Sequence, residues 1–219
     1  MHATATQTEL PKPRYRGRIH QIAFFFSIPA GVILIVLAEG PVATAVAAVY
    51  AVSLAAVFGA SAAYHRGAWT DRARRWMKRL DHSMIFVLIA GSYTPVAVLV
   101  LGGTWEAVLL SLAWTGAVVG VTIKMARPDG LNVLGAFLYM GLGWLAVIAL
   151  PQLLSQMTVA ESILMVSGGL LYTAGAIVFA TKRPDPAPST FGYHEIWHAF
   201  MVAAACCHYA MILLLLRPA

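Results

Sequence analysis

The residues best suited to chemistry in this chain are histidines. His194 and His198 stand four residues apart in a largely apolar segment. In an α-helix that spacing puts both imidazoles on one face, one turn apart, where they can chelate a single metal ion. His65 can supply a third imidazole, which leaves the fourth position of a tetrahedral site for water. Zinc fits this set best, because imidazole suits it and it needs no redox partner.

Two further residues offer side chains that could act beside such an ion. Asp81 can accept a hydrogen bond from a bound water and act as a general base, because zinc lowers the pKa of that water toward about 7. Ser61 lies one helical turn before His65 on the same face. Its hydroxyl could orient the water or a substrate. We therefore predict Asp81 and Ser61 as catalytic residues.

The composition indicates which solvent surrounds these residues. Of 219 residues, 60% are hydrophobic and only 11% are charged, and the mean hydropathy is +0.75. Soluble domains are roughly half apolar, so we expect an integral membrane protein. The net charge of +6 is spread between apolar runs, which argues against nucleic-acid binding. The two cysteines, Cys206 and Cys207, are neighbours in an apolar run and predict no disulfide framework.

The apolar runs are long enough for seven membrane-spanning helices, each of about 20 residues. We predict an all-α bundle with a cytoplasmic segment at residues 1–19 and a transmembrane domain at residues 20–216. No signal peptide is expected, since the first residues are polar and basic and the next apolar run is long enough to span. The predicted spans are 20–38, 42–64, 82–101, 105–124, 131–150, 160–181 and 194–216, separated by charged, Gly or Pro residues that include Pro151.

The basic residues predict the orientation of the bundle, because Lys and Arg are retained on the cytoplasmic side during insertion. Every alternate connection is basic, and a count of six or eight spans would break this alternation. The residues concerned are Lys12, Arg14, Arg16 and Arg18 before span one, Arg66 to Arg79 after span two, Lys124 and Arg127 after span four, and Lys182 and Arg183 after span six. The N-terminus is then cytoplasmic and the C-terminus outside. His65, Asp81, His194 and His198 all fall at the cytoplasmic face.

The remaining histidines fit the metal site less well. His208 lies ten residues beyond His198, about 15 Å along the helix axis, and we expect a buried hydrogen-bonding or second-site role. His82 follows Asp81 and points to a different face, which favours an interfacial or supporting role. His20 begins span one and is expected at the membrane interface.

Two other segments have structural interpretations. Gly91 to Pro95 predicts a kink in span three, with nearby hydroxyls satisfying the freed backbone groups. The basic run from Arg72 to Arg79 most simply enforces topology, and binding of anionic lipid headgroups stays open as an alternative.

The chain resembles the bacterial hemolysin III proteins, relatives of the progestin and adipoQ receptors, over essentially its whole length. The resemblance rests on Ser61-x-x-x-His65, Leu80-Asp81-His82-Ser83 continuing to Gly91-Ser92-Tyr93-Thr94-Pro95, and His194-x-x-x-His198 with the following Ala-rich stretch and His208. It implies a seven-helix bundle with a cytoplasmic N-terminus and zinc held by three histidines with an Asp-held water, which map onto His65, His194, His198 and Asp81. The broader superfamily includes alkaline ceramidases, so it also implies hydrolysis of lipid amides. The chain lacks the long cytoplasmic domain of animal adiponectin receptors, so hormone signalling is not carried over.

These observations lead to a zinc-dependent hydrolase of lipid amide or ester bonds, located in the bacterial inner (plasma) membrane with membrane lipids as its partners. The alternative is a membrane-homeostasis sensor or haemolysin-type pore without enzymatic activity, in which zinc only ties spans two and seven together. Structural zinc sites usually have four protein ligands, and the three found here favour an open, catalytic site. A haem bound by His65 and one histidine of span seven also stays open. A retinal pump is excluded, because every Lys lies at a cytoplasmic end.

Overall fold

The computed structural model of this chain describes residues 13–127 and 132–217, and for residues 132–136 it describes the backbone alone. Over these ranges the chain folds into helices and forms no β-strand. Seven helical stretches of the described chain are long and apolar enough to cross a membrane. The predicted all-α bundle of seven spans is therefore confirmed. Part of the predicted N-terminal segment, residues 1–12, lies outside the described residues.

Eight α-helices build the described part of the chain: α1 (Arg18–Leu37), α2 (Gly40–Arg66), α3 (Asp71–Val96), α4 (Gly103–Ala126), α5 (Asn132–Gly143), α6 (Leu150–Gln156), α7 (Val159–Thr181) and α8 (Tyr193–Leu215). A π-helical turn, Ala97–Leu101, continues α3. A 3-10 turn, Leu145–Ala149, joins α5 to α6, so that the fifth span runs over Phe137–Gln156.

Helix α3 begins well before the third apolar run. It starts at Asp71, whereas the predicted span started at residue 82, so the basic stretch that was expected to connect two spans is mostly helical. The Thr70 hydroxyl caps the helix by accepting from the Ala73 amide, and Asp71 adds a negative charge at the positive end of the helix dipole. Arg and Lys are also good helix formers. Hydropathy therefore located the part of α3 that suits the bilayer and not the start of the helix.

The fifth span also differs from its predicted bounds. We predicted residues 131–150 with Pro151 as a breaker, but α6 carries Pro151 in its first turn and continues to Gln156. Proline is tolerated there because a first-turn amide has no intrahelical acceptor in any case. The segment 128–131 lies outside the described residues.

The distortion predicted in span three is a π-helical turn that directly follows Pro95. Proline has no amide hydrogen, so a carbonyl in the preceding turn loses its usual donor. The hydroxyls of Ser92 and Thr94 donate to the carbonyls of Leu88 and Ala90. The carbonyl that loses its α-helical donor is that of Gly91, four residues before Pro95, so these two bonds lie beside the freed acceptor and do not satisfy it.

Close packing between neighbouring helices sets the position of the site. Helices α1 to α4 pack in sequence, α7 packs on α8, and α8 closes against α1 and α3. A Cβ on Gly91 would lie 2.3 Å from the Ser53 Oγ, so α3 and α2 approach closely there. Small residues commonly allow such approach between membrane helices. As a result the end of α2 and the starts of α1, α3 and α8 share one end of the bundle.

Candidate metal centre

Three imidazoles converge at this end of the bundle. His65, in the last turn of α2, and His198, in α8, are buried, and His194 is half-buried. The Nε2 atoms of His65 and His194 are 3.3 Å apart. One ring nitrogen from each of the three histidines lies within 4.8 Å of the others. The structure therefore brings together the three predicted ligands.

The spacing of one pair of these nitrogens equals that found in a tetrahedral zinc site. Nitrogens bound tetrahedrally at the usual Zn–N distance of about 2.0–2.1 Å lie about 3.3 Å from one another. The separation between His65 and His194 already has this value. The His198 ring centroid is 4.6 Å from that of His194 and 5.2 Å from that of His65. Three imidazole donors are also the ligand type that zinc prefers in an open site.

Local capping contacts fix the start of α8 and thereby its two histidines. The Glu195 carboxylate accepts from the Gly192 amide at 2.9 Å, and the Asp185 carboxylate accepts from the Tyr193 amide at 2.9 Å. Carboxylates at a helix N-terminus satisfy amides that have no intrahelical acceptor. The i, i+4 spacing then places His194 and His198 on one face, with ring centroids 4.6 Å apart.

The end of α2 is fixed by contacts of the residues that follow His65. The Gly67 amide and the Trp69 indole nitrogen both donate to the Ala63 carbonyl, at 2.9 Å and 2.8 Å. One of the free carbonyls at the helix C-terminus is satisfied in this way. The last turn is therefore held closed, and His65 projects from a fixed position toward α8.

Asp81 and Ser61 lie beside the histidines. An Asp81 carboxylate oxygen, Oδ2, is 3.7 Å from the Nε2 of His65, the nitrogen that also faces His194. Ser61 is fully buried and lies near the Asp81 carboxylate. The five predicted site residues therefore occupy one cluster, in which the carboxylate is within reach of a group bound at His65.

His20 belongs to this cluster, which the position expected for it at the membrane interface did not indicate. The side chain is buried, with 3% of its surface exposed. Its ring stacks on that of His198, with centroids 3.7 Å apart and planes inclined by 8°. Its Nδ1 is 2.8 Å from the Ser61 hydroxyl. The depth of His20 agrees with this position, because α1 begins at the same end of the bundle as the other site residues, but depth does not tell which way the side chain points.

The segment just before α1, residues 13–17, covers the cluster at the end of the bundle. The amides of Arg14 and Tyr15 donate to the carbonyls of Ser189 and Thr190, and the Arg16 guanidinium pairs with Glu195 at 2.6 Å. Gly17 has a φ of 78°, in the region that favours glycine.

Gly17 also marks a close approach of this segment to the site. A Cβ at Gly17 would lie 2.5 Å from the Cβ of His65. Only glycine allows the chain to pass over the ligand at this distance. Nothing in the spacing of residues 13–17 predicted this arrangement, because its contacts join parts of the chain that are remote in sequence.

His208 lies apart from the cluster of three histidines. Its Nε2 is 3.4 Å from the Met165 carbonyl, and its ring packs against Tyr172 with centroids 5.5 Å apart. These contacts join α8 to α7. They agree with the hydrogen-bonding role that we expected as one of two alternatives, although His208 is half-buried rather than buried.

Fold and site together define a seven-helix membrane protein with a three-histidine candidate metal centre at one end of the bundle. The family model of haemolysin-III related proteins matches residues 8–209. The chain therefore belongs to the haemolysin III family, and the predicted resemblance is confirmed.

Individual relatives are similar over most of the chain. A Hemolysin-3 homolog of Bacillus subtilis (strain 168) is 32% identical over 197 residues, which cover 89% of either chain. A Hemolysin-3 of Bacillus cereus is 32% identical over 91% of this chain and 89% of its own length. The monocyte to macrophage differentiation factor of Homo sapiens is 25% identical over 75% of this chain and 67% of its own.

Proposed function

We propose that this chain is an intramembrane zinc hydrolase that cleaves an amide or ester bond of a membrane lipid. The observation that carries this proposal is the convergence of His65, His194 and His198 with a carboxylate, Asp81, 3.7 Å from a ligand nitrogen. When bound, zinc supplies Lewis-acid chemistry that activates water and polarises a carbonyl at neutral pH. Three protein donors leave a position for water or substrate.

The residues around the ion have separate roles in the proposed reaction. Asp81 accepts the proton of the attacking water and returns it to the leaving group, as a general base and acid. Ser61, buried near Asp81, orients the carboxylate or the substrate with its hydroxyl. The buried imidazoles hold their geometry because α2 and α8 are capped where those ligands project.

A lipid substrate is favoured by where the site lies. The site lies between helices whose surfaces carry many exposed large apolar side chains. Residues 13–17 cover the site at the end of the bundle. A lipid embedded in the bilayer could approach between helices. We place the protein in the bacterial plasma membrane with the N-terminus and the metal centre on the cytoplasmic side, following the distribution of Lys and Arg.

The second candidate is a non-enzymatic role as a pore or a sensor of bilayer state. The specific observation in its favour is that two of the relatives are named Hemolysin-3 or its homolog. The three histidines join α2 to α8, helices far apart in the sequence, so a zinc ion there would also stabilise the bundle. The two candidates differ in whether zinc-loaded protein turns over a lipid.

The test uses purified full-length protein in lipid nanodiscs with fluorescent ceramide and phospholipid substrates. We expect wild-type turnover that a chelator abolishes and added zinc restores. Asp81→Asn should keep its zinc and its fold but lose turnover about 100-fold or more, the usual contribution of a general base.

The matched control for that variant is Asp71→Asn, which alters an exposed carboxylate in the first turn of the same helix. It should keep wild-type turnover. If zinc-loaded, folded wild-type protein cleaves neither class of lipid, the hydrolase proposal is refuted and the non-enzymatic candidate, in which zinc has a structural role, is favoured.

A further inference from the structure

His20 carries contacts that no role as a metal ligand requires. It lies in the first turn of α1, and its ring is enclosed by Phe58 on α2 and His198 on α8, with centroid distances of 5.1 Å and 3.7 Å. Its Nδ1 hydrogen-bonds to the Ser61 hydroxyl at 2.8 Å. One side chain thus contacts both a proposed ligand and the serine near Asp81.

The geometry argues that His20 does not bind the same ion as the other histidines. Imidazole lone pairs lie in the plane of the ring, so an ion bound by His198 lies in the His198 plane. The His20 plane is almost parallel to it, with the ring centroids 3.7 Å apart, and cannot contain that ion. The group of nitrogens that converge within 4.8 Å accordingly consists of His65, His194 and His198.

Ser61 connects His20 to the surroundings of Asp81. The Ser61 hydroxyl is 2.8 Å from the Nδ1 of His20 and is buried near the Asp81 carboxylate. Because a carboxylate only accepts hydrogen bonds, a Ser61 hydrogen directed at Asp81 requires the Ser61 oxygen to accept from the Nδ1 of His20. The position of the Ser61 hydroxyl therefore depends on His20.

We propose that His20 is a positioning residue of the candidate metal centre, which fixes the ring plane of His198 by stacking and the Ser61 hydroxyl near Asp81 by a hydrogen bond. The proposal rests on the metal site put forward above. Residues that orient metal ligands typically change metal affinity by about 10- to 100-fold when they are removed. His20 differs from such partners in contacting a candidate ligand, His198, and a proposed catalytic residue, Ser61, at once.

Three substitutions separate the two contacts. His20→Phe keeps a ring that can stack on His198 but removes the donor to Ser61. His20→Asn keeps an amide N–H close to the position of Nδ1 but removes the stacked ring. His20→Ala removes both. His208→Phe is the matched control, because His208 is a second packed histidine whose contacts are with α7.

The readouts are zinc affinity by chelator competition and the visible absorption spectrum of the cobalt-substituted protein, which reports ligand geometry without any turnover. We expect His20→Ala to bind zinc about 10- to 100-fold more weakly and to shift the cobalt bands. Of the three variants, His20→Phe should bind zinc with an affinity closest to wild type, and the affinity of His20→Asn should lie between those of His20→Phe and His20→Ala. His208→Phe should bind zinc with the wild-type affinity.

Several outcomes would overturn the proposal. Wild-type affinity and spectrum in His20→Ala would make His20 an ordinary packing residue. Loss of metal as complete as in a ligand variant would make it a ligand. If His20→Ala does not fold, wild-type values in both His20→Phe and His20→Asn would overturn the proposal. A wild-type protein that binds neither metal would instead refute the metal site itself.

Discussion

His194 is the most exposed of the three candidate ligands, yet its Nε2 lies 3.3 Å from that of His65. It is also a neighbour of Phe179 on α7, with ring centroids 5.6 Å apart. Its position at the rim makes it suitable for substitution, because removal of a half-buried side chain leaves a smaller cavity than removal of a buried one. The effect on metal binding can then be separated from the effect on packing.

At the residue scale we predict that His194→Ala loses most of its bound zinc. Two imidazoles remain, which cannot complete a three-histidine site. Because metal that binds the folded state alone stabilises it, the Tm in the presence of zinc should fall by several degrees. Metal analysis by mass spectrometry and a thermal scan with and without zinc measure both effects.

His208→Ala provides the comparison for this variant. It removes a histidine of the same helix that lies outside the cluster, and its zinc content should equal that of the wild type. Unchanged zinc stoichiometry in His194→Ala would contradict the ligand assignment.

The grouping of these ligands was predictable, and the part played by His20 was not. Helical spacing joined His194 to His198, and the distribution of Lys and Arg put His65 at the same depth. His20 was also expected at this depth, because it begins span one. Whether a side chain at that depth faces lipid or the site depends on the rotation of α1 about its axis, which packing against α2 and α8 decides. The apolar run of α1 contains no strong stripe that would have indicated this rotation.

At the scale of elements, the segment 13–17 links α1 to the start of α8. Glu195 is buried, with 1% of its side chain exposed, and its carboxylate accepts from the Arg16 guanidinium and from the Gly192 amide. A buried carboxylate that loses such a partner is strongly destabilising. The pair therefore holds the covering segment on the helix that carries two of the ligands.

We predict that Arg16→Ala lowers the free energy of unfolding by about 1–3 kcal/mol, the cost of leaving a buried, charged acceptor partly unsatisfied. Arg16 is about one-fifth exposed, so solvent screening keeps the effect below that of a fully buried pair. Thermal unfolding in detergent at constant zinc measures it.

Arg14→Ala is the control for the ion pair, because Arg14 is an exposed residue of the same segment and contributes its backbone amide to the contact with Ser189. Its stability should change by no more than about 0.5 kcal/mol. Equal effects of the two substitutions would show that charge in this segment, and not the pair with Glu195, is what matters.

The elements themselves were predictable to the extent that hydropathy reports them. All seven spans were found from apolar runs, but the start of α3 at Asp71 and the passage of span five through Pro151 were not. Helix ends depend on capping groups such as Thr70 and on proline at a first turn. Neither feature changes the mean hydropathy of a stretch of sequence, so hydropathy does not report it. The covering segment 13–17 escaped prediction because its partners, residues 187–195, lie at the other end of the chain.

For the whole molecule, charge and site share one end of the bundle. Helices α1, α3 and α8 begin there and α2, α4 and α7 end there, so the basic residues that flank these helix ends lie at the same end of the bundle as the candidate metal centre. Two of them lie over aromatic rings: Arg74 over Tyr64 at 5.8 Å and Arg79 over Trp76 at 4.8 Å. Such cation–π contacts occur between long basic side chains and aromatic rings at partly exposed positions.

We predict that this end faces the cytoplasm, because basic residues resist translocation across the membrane. Alkaline phosphatase fused to the C-terminus should be active in a bacterial host, and green fluorescent protein at the same point should be dark. Fusions truncated after Arg183, in the connection between α7 and α8, should give the reverse result and serve as the internal control. Active phosphatase at Arg183 would put the three histidines on the outer face, where a cytoplasmic pool could not supply their metal.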